Sequence, residues 1–157
     1  MAATIPNIAK GRINEYVIRV DGNDPSTAQF VVMLLTDSGL ETLATLRDYD
    51  DFAAILAAAN TESVVASYAR LVLTDTDVGP PTVDDGGDQQ TFDTADFDFG
   101  TLEAGENIAA SVIGYDAAQG GDATIIPVQI TIPASVVATN GETFHWRTPA
   151  GWWAATE

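Results

Sequence analysis

Residues 29–36 read Gln-Phe-Val-Val-Met-Leu-Leu-Thr, six apolar side chains in a row between polar ends. In a strand, successive side chains point to opposite faces of the sheet. An unbroken apolar run of this length therefore presents apolar groups on both faces, which is the pattern of a buried central strand. Strong breakers bound it. Asp21-Gly22-Asn23-Asp24-Pro25 lies before it and Asp37-Ser38-Gly39 after it. The chain is thus constrained to build a sheet around this segment.

The flanking sequence supplies other elements. Met1 to Lys10 contains Pro6 and no acid, and residues 1–12 read as an N-terminal arm preceding a single β-rich domain over 13–157. Ile13, Tyr16, Val17 and Val20 follow helical spacing, while Tyr16, Ile18 and Val20 also alternate as in a strand; the helix is the preferred reading. Asp48 or Asp50 is placed to cap a short alanine-rich helix with Phe52, Ile55 and Leu56 on one face, ended by Asn60. Residues 64–74 read as a strand with Tyr68, Arg70 and Val72 on one side. From Asp75 to Asp98 the composition is that of a loop pinned by Phe92, Phe97 and Phe99. Strands are predicted over 108–115, 123–132, 143–147 and 152–155. Gly120-Gly121, the hairpin signal Asn140-Gly141, and Pro149-Ala150-Gly151 separate them. Many short strands with such punctuation predict a mainly β fold, an antiparallel β-sandwich or jelly-roll-like barrel, with one or two short helices in the N-terminal half.

Charge narrows the function. The 157 residues carry 23 acids against 6 bases, a net charge of -17, yet 46% of them are hydrophobic. That apolar content is too high for a disordered acidic chain. Duplex nucleic acid is gripped by Lys and Arg displacing counterions, and anionic membranes attract the same residues. Neither is an expected partner. Solubility, adaptation to salt and a specific role for the charge all remain open. There is no cysteine, which excludes disulfides, thiolate metal sites and cysteine catalysis. The N-terminus lacks the apolar core of a signal peptide, and no run approaches the ~18 apolar residues of a membrane span.

Catalytic patterns are weak. His145 is the single histidine, set between Phe144 and Trp146, and no Gly-x-Ser-x-Gly elbow occurs. It reads as a packed or rim histidine, and the chain as no enzyme. Asp84, Asp85 and Asp88, or Asp93, Asp96 and Asp98, have the hard oxygen ligands calcium takes. Their surroundings do not match an EF loop, and Asp and Gly populate turns for their own backbone reasons; no metal and no cofactor is expected. Trp152 and Trp153, adjacent on a predicted strand, must face opposite sides. Core or interface packing is the plain reading, and stacking on a sugar ring the alternative.

Asp24-Pro25, Asp48-Tyr49-Asp50, Tyr68-Ala69-Arg70, Asp84-Asp85, Tyr115-Asp116 and the segment Asp122 to Pro127 occur in that order. Over roughly Lys10 to Ile130 the chain resembles small virion structural proteins of tailed bacteriophages, the siphophages of actinobacteria and related hosts. The ending from His145 to Glu157 departs from that pattern. The resemblance implies a particle component: a capsid decoration or minor capsid protein that contacts the major capsid protein or other virion proteins, assembles in the host cytoplasm and resides in the virion. A neck or tail protein and a carbohydrate-binding module for host attachment are the alternatives. A homo-oligomer held through its ends is expected, with Lys10, Arg12, Arg147, Trp152 and Trp153 as candidate interface residues, because there the acidic charge relents and Trp and Arg favour hot spots.

Overall fold

A computed structural model describes residues 1–86, 89–91, 94 and 96–146. The fold is mainly β and antiparallel, with sandwich-like layering. Its strands are β1 Ala2–Thr4, β2 Gln29–Thr36, β3 Leu71–Leu73, β4 Thr82–Asp84, β5 Gln89–Thr91, β6 Phe97–Thr101, β7 Asn107–Asp116, β8 Ile126–Ile132, β9 Val137–Ala138 and β10 Thr143–Trp146. Among the described residues three α-helices accompany them: α1 Ile13–Asp21, α2 Leu43–Leu46 and α3 Phe52–Ala57. The main sheet has the order β1-β8-β7-β2-β3, and β9 pairs with β7.

The central strand is β2, as its composition requires. All eight of its residues are buried. Phe30, Val32 and Leu34 enter one apolar cluster, while Val31, Met33 and Leu35 enter another on the opposite face. The first cluster is closed by α1 and by the β6–β10 pair. Helix α1 buries Ile13, Tyr16, Val17 and Val20, the spacing of one helical stripe. The small sheet contributes Phe97, Phe99, Phe144 and Trp146, with Phe99 edge-on to Phe144 at 6.0 Å. The second cluster is closed by Leu46 of α2 and by Phe52 and Ile55 of α3.

Several sequence expectations are corrected. The first twelve residues are not a detached arm. Ala2–Thr4 pair with Ile130–Ile132 at a sheet edge, and Ala9 in the following 3-10 turn is fully buried. Small apolar residues there fit against the core. The cap of α3 is Asp51, whose Oδ1 accepts from Ala54 N at 2.7 Å, rather than Asp48 or Asp50. Residues 122–124 form a 3-10 turn, so that β8 starts at Ile126. The loop over 75–98 contains the β4–β5 hairpin. Its pins Phe97 and Phe99 are buried, while Phe92 lies outside the described residues, as do Arg147, the predicted strand over 152–155 and the turn before it. The Asn140-Gly141 turn does not join two paired neighbours. It passes the chain from β9 in the main sheet to β10, which pairs with β6.

The predicted strand over 64–74 is also corrected, and its shape matters for the rest. Only Leu71–Leu73 pair with β2 in this stretch, opposite Phe30 to Val32. Glu62 bridges Leu35 further along, with Ser63 N on Leu34 O and Thr36 N on Thr61 O. Residues 61–63 and 71–73 therefore run along the same side of β2, and 64–70 leave the sheet between them. Ser67 turns the excursion at φ 70. Tyr68 fills the gap: its hydroxyl accepts from Leu34 N at 3.0 Å, where a strand carbonyl would otherwise stand.

Candidate functional site

The excursion over 64–70 returns a polar cluster to the sheet. The Arg70 guanidinium donates to both Glu62 oxygens, Nε to Oε1 at 2.7 Å and Nη2 to Oε2 at 2.6 Å. It also donates to Asp122, from Nη1 to Oδ1 and from Nη2 to Oδ2 at 3.2 Å. Tyr68 OH donates to Glu62 Oε1 at 3.0 Å. The planar fork of arginine suits this two-carboxylate grip. Arg70 also lies over the Phe52 ring, 5.6 Å from its centroid. The cluster thus ties the edge strand to the turn before β8 and to α3. The carboxylates hold Arg70 charged, raising its pKa. Burial, more than any neighbouring charge, raises that of Tyr68. Every polar group of this set is engaged within the chain, so its chemistry is that of a clamp.

Two further polar devices hold turns. Asp116 is buried; its Oδ2 accepts from Gln29 Nε2 at 3.2 Å, and its Oδ1 from Ala118 N and Gly120 N, both at 3.1 Å. Glu106 accepts from Ser63 Oγ at 2.5 Å and from Val64 N at 3.1 Å. Beside Glu106 lies an open depression of about 250 Å³ lined by Thr36, Asp37, Ser38, Thr61, Gly105 and Asn107. Asp37 there accepts from Asn107 Nδ2 at 2.9 Å. The lining has no aromatic ring and no cation.

Of the predicted interface residues, the structure describes Lys10 and Arg12. Lys10 is exposed, its Nζ donating to Asn7 Oδ1 at 2.7 Å. Arg12 lies over the Tyr16 ring at 5.0 Å and pairs with Glu15, which also pairs with Arg19. Both arginines lower the Glu15 pKa, chiefly by hydrogen bonding from Arg12. Arg147, Trp152 and Trp153 lie outside the described residues. His145 is exposed, with Nδ1 3.7 Å from Asp98 Oδ1. Among the described residues no group of three or more His, Cys, Asp or Glu is arranged to hold a metal ion, and no helix is long and apolar enough to cross a membrane.

Sequence reasoning missed the clamp because its members are spread from Glu62 to Asp122 and each reads alone as an ordinary surface residue. A usable signal was present: Arg70 is the only cation between Arg47 and Arg147. No protein family, curated protein or solved structure matches this chain.

Proposed function

We propose that this chain is a structural component of a tailed-phage virion, most specifically a capsid decoration or minor capsid protein that binds the outside of the head. The observation that carries the reading is the use made of the motif residues on which the resemblance rests. Tyr68, Arg70 and Asp122 belong to the clamp. Asp116 caps the turn after β7 and Tyr115 stacks on Tyr16 with centroids 4.4 Å apart. Asp48 accepts from Asn7 Nδ2 at 2.5 Å, and Tyr49 donates to Glu41 at 2.7 Å. All of them brace the fold, which is what a particle component asks of its motifs. The net charge of -17 suits a face turned to solvent and disfavours a place against packaged nucleic acid.

A neck or tail position draws support from the same observations. The sugar-binding alternative rests on Trp152 and Trp153, which lie outside the described residues, and the described aromatics lend it no support. Phe144 and Trp146 are packed into the core, and the described depression offers no ring for a sugar to stack on. Quantitative mass spectrometry of purified particles tests the proposal. A copy number in fixed ratio to the major shell subunit supports a head protein, and a few copies per particle a neck or tail protein. A few copies per particle together with retention on a glycan array favours the attachment module, and absence from the particles overturns the proposal.

A further inference from the structure

The two outer strands of the main sheet differ in the company they keep. Strand β1 ends one side of the order and β3 the other. Among the described residues no strand pairs with the outer side of either. Sheet edges present unpaired N–H and C=O groups, and proteins usually blunt them with lysine, proline or inward charge. Neither strand does so: one reads Ala-Ala-Thr and the other Leu-Val-Leu. Val72, in the middle of β3, is 49% exposed.

The charges beside these edges have opposite sign. Lys10 is exposed just after β1, donating to Asn7, whereas Arg12 and Arg19 further on are already paired with Glu15. Arg47 joins that side, because its carbonyl accepts from Asn7 N at 2.8 Å just after β1, and it brings Asp48, whose Oδ1 lies 3.8 Å from Arg47 Nε. On the other side, the turn after β3 carries Asp75 and Asp77, and the β4–β5 turn carries Asp85, all exposed. Val78 of that segment is buried in the apolar cluster that also holds Leu73. The described cation nearest in sequence, Arg70, is already engaged by Glu62 and Asp122.

We propose that copies of this chain join head to tail, the β1 edge of one adding to the β3 edge of the next, with Lys10 and Arg47 facing Asp75 and Asp85. Such an interface uses two different patches, so a suitable rotation closes it into a ring. Backbone pairing gives adhesion, and the charges choose which edge meets which and set the direction. This assembly goes beyond the virion reading and does not depend on it.

The test is the concentration dependence of mass by sedimentation and light scattering, with far-UV circular dichroism confirming that each variant folds. The wild-type chain is expected to associate. Lys10→Glu with Arg47→Glu, or Asp75→Lys with Asp85→Lys, should each weaken association by more than about tenfold, because like charges then face each other. Mixing the two variants should restore it, since each then presents the complement of the other. Val72→Lys, in the edge itself, should weaken association without altering the charge beside β1. A wild-type chain that stays monomeric, or association indifferent to all these changes, overturns the proposal. Weakening by both charge variants without restoration on mixing overturns the head-to-tail arrangement.

Discussion

At the scale of single residues, Gly114 shows how closely the layers are packed. A Cβ there would lie 2.4 Å from Ile125 Cγ2 and 2.6 Å from the Phe52 ring, so α3 can sit on the sheet only over a residue without a side chain. Pro127, which has no N–H to give, stands opposite it at the bulge in β8. Gly114→Ala is expected to cost about 1–3 kcal/mol by overpacking, read as a lower midpoint in urea with unchanged slope. Arg70→Met leaves Glu62 and Asp122 without their shared counter-charge. A loss of about 1–3 kcal/mol is expected, moderated by partial exposure of the cluster. Adding Asp122→Asn to that variant should recover part of the loss, because the remaining like-charge pair is removed. Tyr68 gives a pH signature. Burial raises its pKa above the ordinary value of 10.0, so the neutral phenol is favoured in the fold. Its contribution is fully present below pH 10 and declines as pH rises above that toward the folded-state pKa. Alkaline melts should therefore show a fall in stability that Tyr68→Phe diminishes; an identical fall in that variant would remove Tyr68 from the account.

At the scale of elements, what was legible in the sequence depended on how locally an element is determined. Strand β2 announced itself, because six apolar residues in a row admit few other readings, while the spacing around Ile13 to Val20 fitted strand and helix alike and only favoured the helix that α1 forms. Strand β7 was found within a residue at each end. The edge over 61–73 was not, because its break is caused by contacts distant in sequence. Tyr68 takes the amide of Leu34, and Glu103 N bonds Ala66 O, and neither partner is visible from local propensity. Strand β1 was missed for a similar reason, since Ala2–Thr4 has little strand signal of its own and is recruited by β8. Helix α2 was missed because four residues carry almost no periodicity; Thr42 at its cap was the available sign. Of the candidate interface residues, Lys10 and Arg12 are exposed; the charge contrast across the sheet could be seen only once β1 and β3 were known to lie at opposite edges. The loop over 75–98 yields a prediction at this scale. Val78, Phe97 and Phe99 are buried and Asp98 accepts from Gly100 N at 2.8 Å, so the segment is braced by its own packing. Excess chelator should leave the thermal midpoint unchanged, and a fall of several degrees reversed by calcium would contradict this.

At the scale of the whole molecule, a sheet covered on both faces is combined with a net charge of -17. Like charges on a compact body repel one another, and salt shortens their reach to about 8 Å at physiological ionic strength. The thermal midpoint should therefore rise on going from low to moderate salt; a flat response would mean the acids are already compensated locally. The same repulsion bears on assembly, since subunits this acidic associate only where specific contacts outweigh it. That condition bears on the proposed virion role. The most direct measurement of that proposal is a cryo-EM reconstruction of intact tailed-phage particles assembled in cells that express the chain, at a resolution that shows strands. The account predicts density on the outer surface of the head into which the sheet β1-β8-β7-β2-β3 fits, with α2 and α3 on one face and α1 with the small sheet on the other. Particles whose head, neck and tail are all fully accounted for by other proteins would contradict it.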